Sequence, residues 1–177
     1  GLDSATVMRV IAERSRALPG AHGAIVELIQ GEDVVPRVAV GLDAPVLRLR
    51  GSLSGAAVQT GEIQRTDDAS ADPRVDAEAF RRHGMRSVVA VPLKSEGRVL
   101  GILKVVAPEA QRFRDRDARA LELLAGMMGS AVSHAAAFES RQARLEERTR
   151  ALQESEQRLK QLVDAAQEGI WVVDDRG

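Results

Sequence analysis

Between Phe113 and Gln167 no proline interrupts the chain, and an apolar residue returns at every seventh position: Leu124, Ala131, Phe138, Leu145, Leu152, Leu159 and Ala166. Asp115 stands where a helix would be capped, and a helix from there to Gln167 would be roughly 80 Å long at about 1.5 Å per residue. A globular domain cannot enclose such an element, so the pattern predicts a helix that continues as a coiled coil with the seven residues at position d. The matching a positions are Met128, Ala135, Gln142, Thr149, Glu156 and Val163. The seam is therefore apolar at its ends and polar in its middle. In a parallel pair of chains the flanking contacts become His134 with Glu139 and Arg141 with Glu146, all favourable in sign. Two Glu156 side chains facing each other would weaken the seam locally. That indicates a segment near the balance point between packings, able to pass on a rotation, with an ordinary spacer of imperfect heptads as the alternative.

The 114 residues before Asp115 are enough for one ordinary domain, and a hydrophobic content of 44% in the whole chain supplies a core. A net charge of −1 gives no broad attraction to nucleic acid or to an anionic membrane. The absence of cysteine removes disulfides, thiolate metal sites, thiol nucleophiles and thioether-linked cofactors. No apolar run reaches the roughly 20 residues of a spanning helix, and no basic segment with an apolar signal core opens the chain. These features predict a cytoplasmic protein with no membrane segment in this stretch. The strand-like Ile170-Trp171-Val172-Val173, followed by only four more residues, reads as part of a longer chain.

Val7, Val10, Ile11 and Leu18 recur at helical spacing before Pro19-Gly20, which predicts an amphipathic helix over residues 3–18. Two short apolar runs, Ala24 to Ile29 and Val34 to Val40, flank Gly31-Glu32-Asp33 and read as a β-hairpin, with Pro36 placing its second strand near a sheet edge. The alternation Leu47-Arg48-Leu49-Arg50 predicts a half-buried strand. Ser52 or Ser54 can cap a short helix that Gly61 ends, and Asp72-Pro73 opens another that stops at Gly84. Ser87 to Leu93 and Val99 to Val106 are nearly continuous apolar runs joined by Lys94-Ser95-Glu96-Gly97, as expected of central strands covered on both faces. Gly126 and Gly129 inside the long helix predict close packing against the first helix or a partner chain, hence a four-helix dimer interface.

Several local strings resemble a GAF domain. They are Gly51-Ser52-Leu53-Ser54-Gly55 with Thr60-Gly61, then Thr66-Asp67-Asp68 and Asp72-Pro73-Arg74-Val75. Further on come Arg86 to Leu93, Gly101-Ile102-Leu103-Lys104-Val105 and Phe113-x-x-x-Asp117. The resemblance covers roughly residues 2–138. It implies an α+β fold with about six antiparallel strands, helices on both faces, terminal helices packed on one face and a ligand pocket on the other. Arg158 to Val163 and Glu168 to Gly177 resemble the leading helix and first strand of a PAS domain. The implied domains are a GAF-like sensor over 1–138, a coiled-coil signalling helix over 139–163 and the start of a PAS-like domain over 164–177.

By that resemblance the pocket is bounded by Ser52, Val58, Asp68, Val75, Phe80, Met85 and Ser87, each of which could equally serve only the core. Nucleotide-binding relatives carry Asn-Lys ahead of Phe-x-x-x-Asp-Glu, whereas this chain has Ala107-Pro108 and Phe113-x-x-x-Asp117-Ala118, which disfavours a cyclic nucleotide. With aromatic content at 2% and Phe80 alone near the pocket, stacking of a nucleobase or tetrapyrrole has little support. The three histidines are scattered and give no metal spacing, and His134 lacks the neighbours of a phosphoacceptor. Asp67, Asp68 and Asp72 could gather a cation, but capping and turn closure explain them as well. No nucleophile, base and orienting group assemble, so no catalytic residue is assigned.

The expected function is a non-enzymatic input and dimerisation module: an unknown small ligand or a protein contact acts on the pocket, and a parallel homodimer relays the change. The dimer would be held along Leu124, Met128, Ala131, Phe138, Leu145, Leu152 and Leu159. The partners would be a second copy and the downstream PAS and effector domains of the same chain, in such families a diguanylate cyclase or a histidine kinase. No metal or cofactor is identified. The competing expectation is a dimerisation scaffold whose pocket holds no ligand.

Overall fold

The computed structural model describes residues 4–44 and 47–174. Within them, the side chains of residues 4, 47, 127, 128, 131, 135, 136, 138–140, 143 and 167–174 lie outside the description. The chain divides into two units, Gly1–Ala136 and Ala137–Gly177. In order, the elements are α1 (Ser4–Ala17), β1 (Gly23–Gln30), β2 (Asp33–Val40), β3 (Leu47–Arg48), α2 (Leu53–Thr60), β4 (Gln64–Thr66), α3 (Ala77–Arg82), β5 (Ser87–Ser95), β6 (Arg98–Ala107) and α4 (Asp115–Asp174).

The first unit is an antiparallel sheet in the order β3-β2-β1-β6-β5-β4. Five strands carry it, and β3 adds only two residues at one edge. The β5–β6 hairpin turns on Glu96 and Gly97, both at positive φ (50° and 76°), the twist that a two-residue hairpin loop requires. Pro36 sits in β2 beside a register shift opposite Val26 and Glu27, a place where a missing ladder donor is tolerated.

Alternation along the central strands sorts the core in two. Toward one face point Val26, Val89, Val91, Leu103 and Val105, which pack with Met8, Ile11 and Ala12 of α1 and Leu121, Ala125 and Val132 of α4. Toward the other face point Val88, Ala90, Ile102 and Val106, which pack with Leu53 and Ala57 of α2 and with Met85. Strands β5 and β6 are buried along most of their length, as their unbroken apolar runs predict.

Several expectations are corrected. The buried stripe of α1 is Met8, Ile11, Ala12 and Ser15; Val10 and Leu18 face outward, because the sheet selects the face centred on Ile11. Of the two candidate caps of α2, Ser52 is the one used, as one of the alternatives expected: its Oγ accepts from the Gly55 amide at 2.9 Å and donates to the Leu49 carbonyl at 2.9 Å. The helix expected from Asp72 begins only at Ala77, capped by Asp76. Asp72 is already engaged with Arg74, accepting from its backbone amide (2.9 Å), Nε (3.0 Å) and Nη2 (2.7 Å), and this closed turn cannot also start a helix. Asp115 is the first residue of α4 rather than its cap. It reaches Nη1 of Arg65 at 2.8 Å, while Asp117 accepts from the Arg114 amide at 2.9 Å and so satisfies the helix start.

Gly129 is buried against β5, where a methyl group would overlap the Lys94 carbonyl; its close contact within the chain is with the sheet rather than with α1, one of the two partners expected. Gly126 meets nothing nearby. The second unit is the continuation of α4. It remains helical through Ile170 to Val173, where a strand was expected. A lone strand has no ladder partner for its amides, whereas a helix satisfies them internally. Residues 175–177 lie outside the described residues. Of the seven expected interface residues, Leu124 is half-buried and Leu145, Leu152 and Leu159 are 64%, 62% and 60% exposed. The side chains of Met128, Ala131 and Phe138 lie outside the described residues.

Two glycines on one helix should respond oppositely to the same change. Gly126→Ala should raise stability by up to about 1 kcal/mol, the helix-propensity difference. Gly129→Ala should lower it by roughly 1–3 kcal/mol through overpacking against β5. Urea midpoints at unchanged slope measure both. The Asp72 carboxyl, nearly buried, is held at about 2 rather than 3.8, chiefly by the side-chain hydrogen bonds of Arg74. A depressed folded-state value stabilises above pH 3.8 and loses that contribution as pH falls through about 2. Asp72→Asn should therefore cost about 2 kcal/mol at neutral pH and flatten the fall in stability between pH 4 and 2, read from melts across that range.

Candidate functional site

On the face of the sheet opposite α1 and α4 lies a cavity of about 310 Å³. Its base is formed by Ile25 of β1, Val88 of β5 and Lys104 and Val106 of β6. Its walls are Leu42 to Ala44, Arg48, Arg50, the start of α2 from Gly51 to Ser54, the segment Pro73 to Asp76, and Ala79, Phe80, His83 and Met85. The strands supply inward side chains by their period of two, so Ile25 pairs across the ladder with Lys104 and both point into the same space.

Local chemistry fixes the walls. A methyl group at Gly55 would overlap the Leu49 carbonyl, so glycine is what lets α2 press onto the preceding loop. The Leu53 amide donates to the Arg74 carbonyl at 2.9 Å, tying α2 to the Pro73–Asp76 wall. Arg74 in turn donates to Gln64 Oε1 at 2.8 Å and so fastens that wall to β4. The Met85 amide donates to the Phe80 carbonyl at 2.8 Å and closes the far end.

At the base, the Lys104 ammonium stands 2.5 Å from Glu27 Oε1, and Ser54 Oγ donates to Glu27 Oε2 at 3.1 Å. Glu27 is fully buried and the Lys104 side chain is 9% exposed. Sequence reasoning passed over all three residues in these roles. The signal lay in the strands themselves: Glu27 and Lys104 are single charges of opposite sign inside otherwise apolar runs, at positions that cannot face water if both sheet faces are covered.

Of the residues expected at the pocket, Ser52, Val75, Phe80 and Met85 line the cavity. Val58 packs beside the same core cluster without lining it. Ser87 is buried and donates to the Glu109 carbonyl at 2.8 Å. Asp68 accepts from the Ser70 amide (3.1 Å) and hydroxyl (2.7 Å) and from Arg86 Nη2 (2.6 Å), which hold its carboxyl at about 2, the Ser70 hydroxyl contributing most. It closes a turn that is pinned to the start of β5. Asp67 pairs with Arg65 and Asp72 with Arg74, so each aspartate of the expected cluster has its own arginine. Among the described residues no three histidines, cysteines or acids group in a way that could hold a metal ion. Among the described residues, too, no helix is long and apolar enough to cross a membrane.

The architecture is that of known proteins. It resembles the GAF domain of a phosphoenolpyruvate-protein phosphotransferase from Coxiella burnetii, with a TM-score of 0.70 and 17% identity over 79% of this chain and 88% of that one. The second GAF domain of DevS from Mycobacterium smegmatis superposes with a TM-score of 0.64 at 22% identity, over 78% of this chain and 99% of that one. A type II free methionine-R-sulfoxide reductase from Thermoplasma acidophilum gives 0.67 at 18%, over 74% and 93%. At these identities the likeness concerns the fold alone. No curated protein is significantly similar in sequence. The family model for the GAF domain matches residues 1–133 of the 177, and the chain accordingly belongs to the GAF domain family, whose members commonly serve as sensory or regulatory modules in signalling proteins.

Proposed function

We propose that this chain is the sensory input and dimerisation module of a signal-transduction protein: a small ligand or partner acts at the cavity, and α4 relays the change through a parallel coiled coil. The observation that carries this reading is the dual nature of α4. Within one uninterrupted helix, Leu121, Ala125 and Val132 are buried in the sensor core, and Leu145, Leu152 and Leu159 stand exposed at seven-residue spacing. Exposed leucines in such a stripe gain roughly 1.5–3 kcal/mol each on full burial, which a second copy provides. Thr149, at a seam position, already donates its hydroxyl to the Leu145 carbonyl at 2.9 Å, so it enters an apolar seam without an unmet donor.

In this reading residues 164–177 open a PAS-like domain, and the downstream effector is a diguanylate cyclase or a histidine kinase, both of which work as paired chains. The domain limits 1–138, 139–163 and 164–177 belong to the same proposal, as does a cytoplasmic setting. Catalysis by the chain itself is not part of it. The fold is shared with a methionine sulfoxide reductase, but this chain has no cysteine and so no thiol of its own to reduce a sulfoxide. A ligand-free scaffold is the second reading, favoured by the apolar exposed stripe alone.

The lack of native cysteine makes a clean test. Leu145→Cys, Leu152→Cys and Leu159→Cys should each form a disulfide-linked dimer under mild oxidation, as only parallel, in-register chains bring all three positions against their own copies. Leu145→Glu with Leu152→Glu should give a monomer by light scattering with the sensor's melting temperature unchanged. A wild-type monomer at tens of micromolar, or crosslinking that skips any of the three positions in favour of head-to-tail pairs, overturns the relay. In the longer protein Glu156→Leu should tighten the seam and leave effector output insensitive to the input signal. Output that still follows the signal normally rejects a switch at that layer.

A further inference from the structure

We infer that the cavity selects a small monocarboxylate with an apolar body, its carboxylate accepting hydrogen bonds from Lys104. This rests on the sensor reading and specifies the ligand class. The charged donor at the base of the cavity is Lys104. Glu27 is fully buried, with Oε2 taken by the Ser54 hydroxyl and Oε1 facing the Lys104 ammonium. Lys104 carries three N–H donors and lines the cavity, and among the described residues its only ion pair is with Glu27.

A buried ion pair with a single hydrogen-bonded neighbour is a poor device for stability, since two apolar side chains would serve a core at least as well. It is a good device for recognition. Glu27 holds the ammonium in place, and an arriving carboxylate gains charge-assisted hydrogen bonds from it. A ligand ammonium would meet Lys104 with like charge.

The rim is consistent with an acid. Arg48 and Arg50 line the cavity, are exposed, and form no ion pair among the described residues. Of the rim acids, Asp76 has one oxygen engaged as the cap of α3, so Asp43 and Asp76 balance the two arginines in charge and the rim does not repel an anion. The rest of the lining is largely hydrocarbon, including Ile25, Leu53, Val75 and Phe80. A volume of about 310 Å³ holds roughly ten groups the size of water at about 30 Å³ each, the size of a six- to nine-carbon acid.

The full 177-residue chain is titrated by calorimetry and thermal shift with hexanoate, octanoate and phenylacetate, with the three matching amides, and with hexylamine. At least one acid should bind and raise the melting temperature, with its amide roughly tenfold or more weaker. The double variant Glu27→Gln, Lys104→Met removes both charges together, keeps an acceptor for Ser54 and should fold; in it the acid and its amide should bind alike. Equal binding of acid and amide to the wild-type chain, preference for the amine, an acid preference that survives the double variant, or no binding by any acid overturns the inference. The sensor reading falls separately, when a panel of neutral and cationic metabolites also leaves the melting temperature unmoved.

Discussion

Strands β1, β6 and β5 lie side by side with both faces covered, and that single constraint dictates most of the first unit. Close ladders need small residues where backbones crowd. A methyl group at Gly101 would overlap the Glu27 carbonyl, so glycine there keeps β6 tight against β1. Cover on both faces demands helices on both, and the chain supplies α1 and α4 to one side and α2 with α3 to the other. The terminal helices make a close-packed layer. The short ones cannot: α2 has eight residues and α3 six, and what they leave over Ile25, Lys104 and Val106 is the cavity.

Legibility followed the strength of the local signal. The apolar runs of β5 and β6 could be nothing but buried strands, and Ser52 with Gly61 bracketed α2 because cap and stop stood at both ends. Asp72-Pro73 misled for a physical reason: its helix-start chemistry is the same as that of a closed Asx turn, and Arg74 two residues on decided between them. Strand β4 escaped notice because three residues carry no periodicity. In α1 two apolar stripes competed, and only the sheet could choose the one through Met8, Ile11 and Ala12.

The site was legible as a region and not as a chemistry. Ser52, Val75, Phe80 and Met85 fall on its walls, each placed there by the loop and helix order of the family. The polar base depends on two residues 77 positions apart, Glu27 and Lys104, meeting across one ladder with Ser54 reaching down from α2. No local pattern encodes that meeting. The clue was global: each charge sat alone in a strand that had no solvent face.

The same alternation that makes the cavity also ties it to the helix beyond. Lys104 points into the cavity, while its chain neighbours Leu103 and Val105 point the other way, into the cluster that holds Leu121, Ala125 and Val132 of α4. In the proposed relay, a displacement of β6 would reach α4 through these shared buried side chains. Gly129 adds a second rigid point, pressing α4 directly onto the backbone of β5 at Lys94. A ligand can move such a system only by its difference in affinity between two arrangements. In the proposed reading a carboxylate at Lys104 would compete with Glu27 for the ammonium and so alter the side-chain contact that bridges β1 and β6.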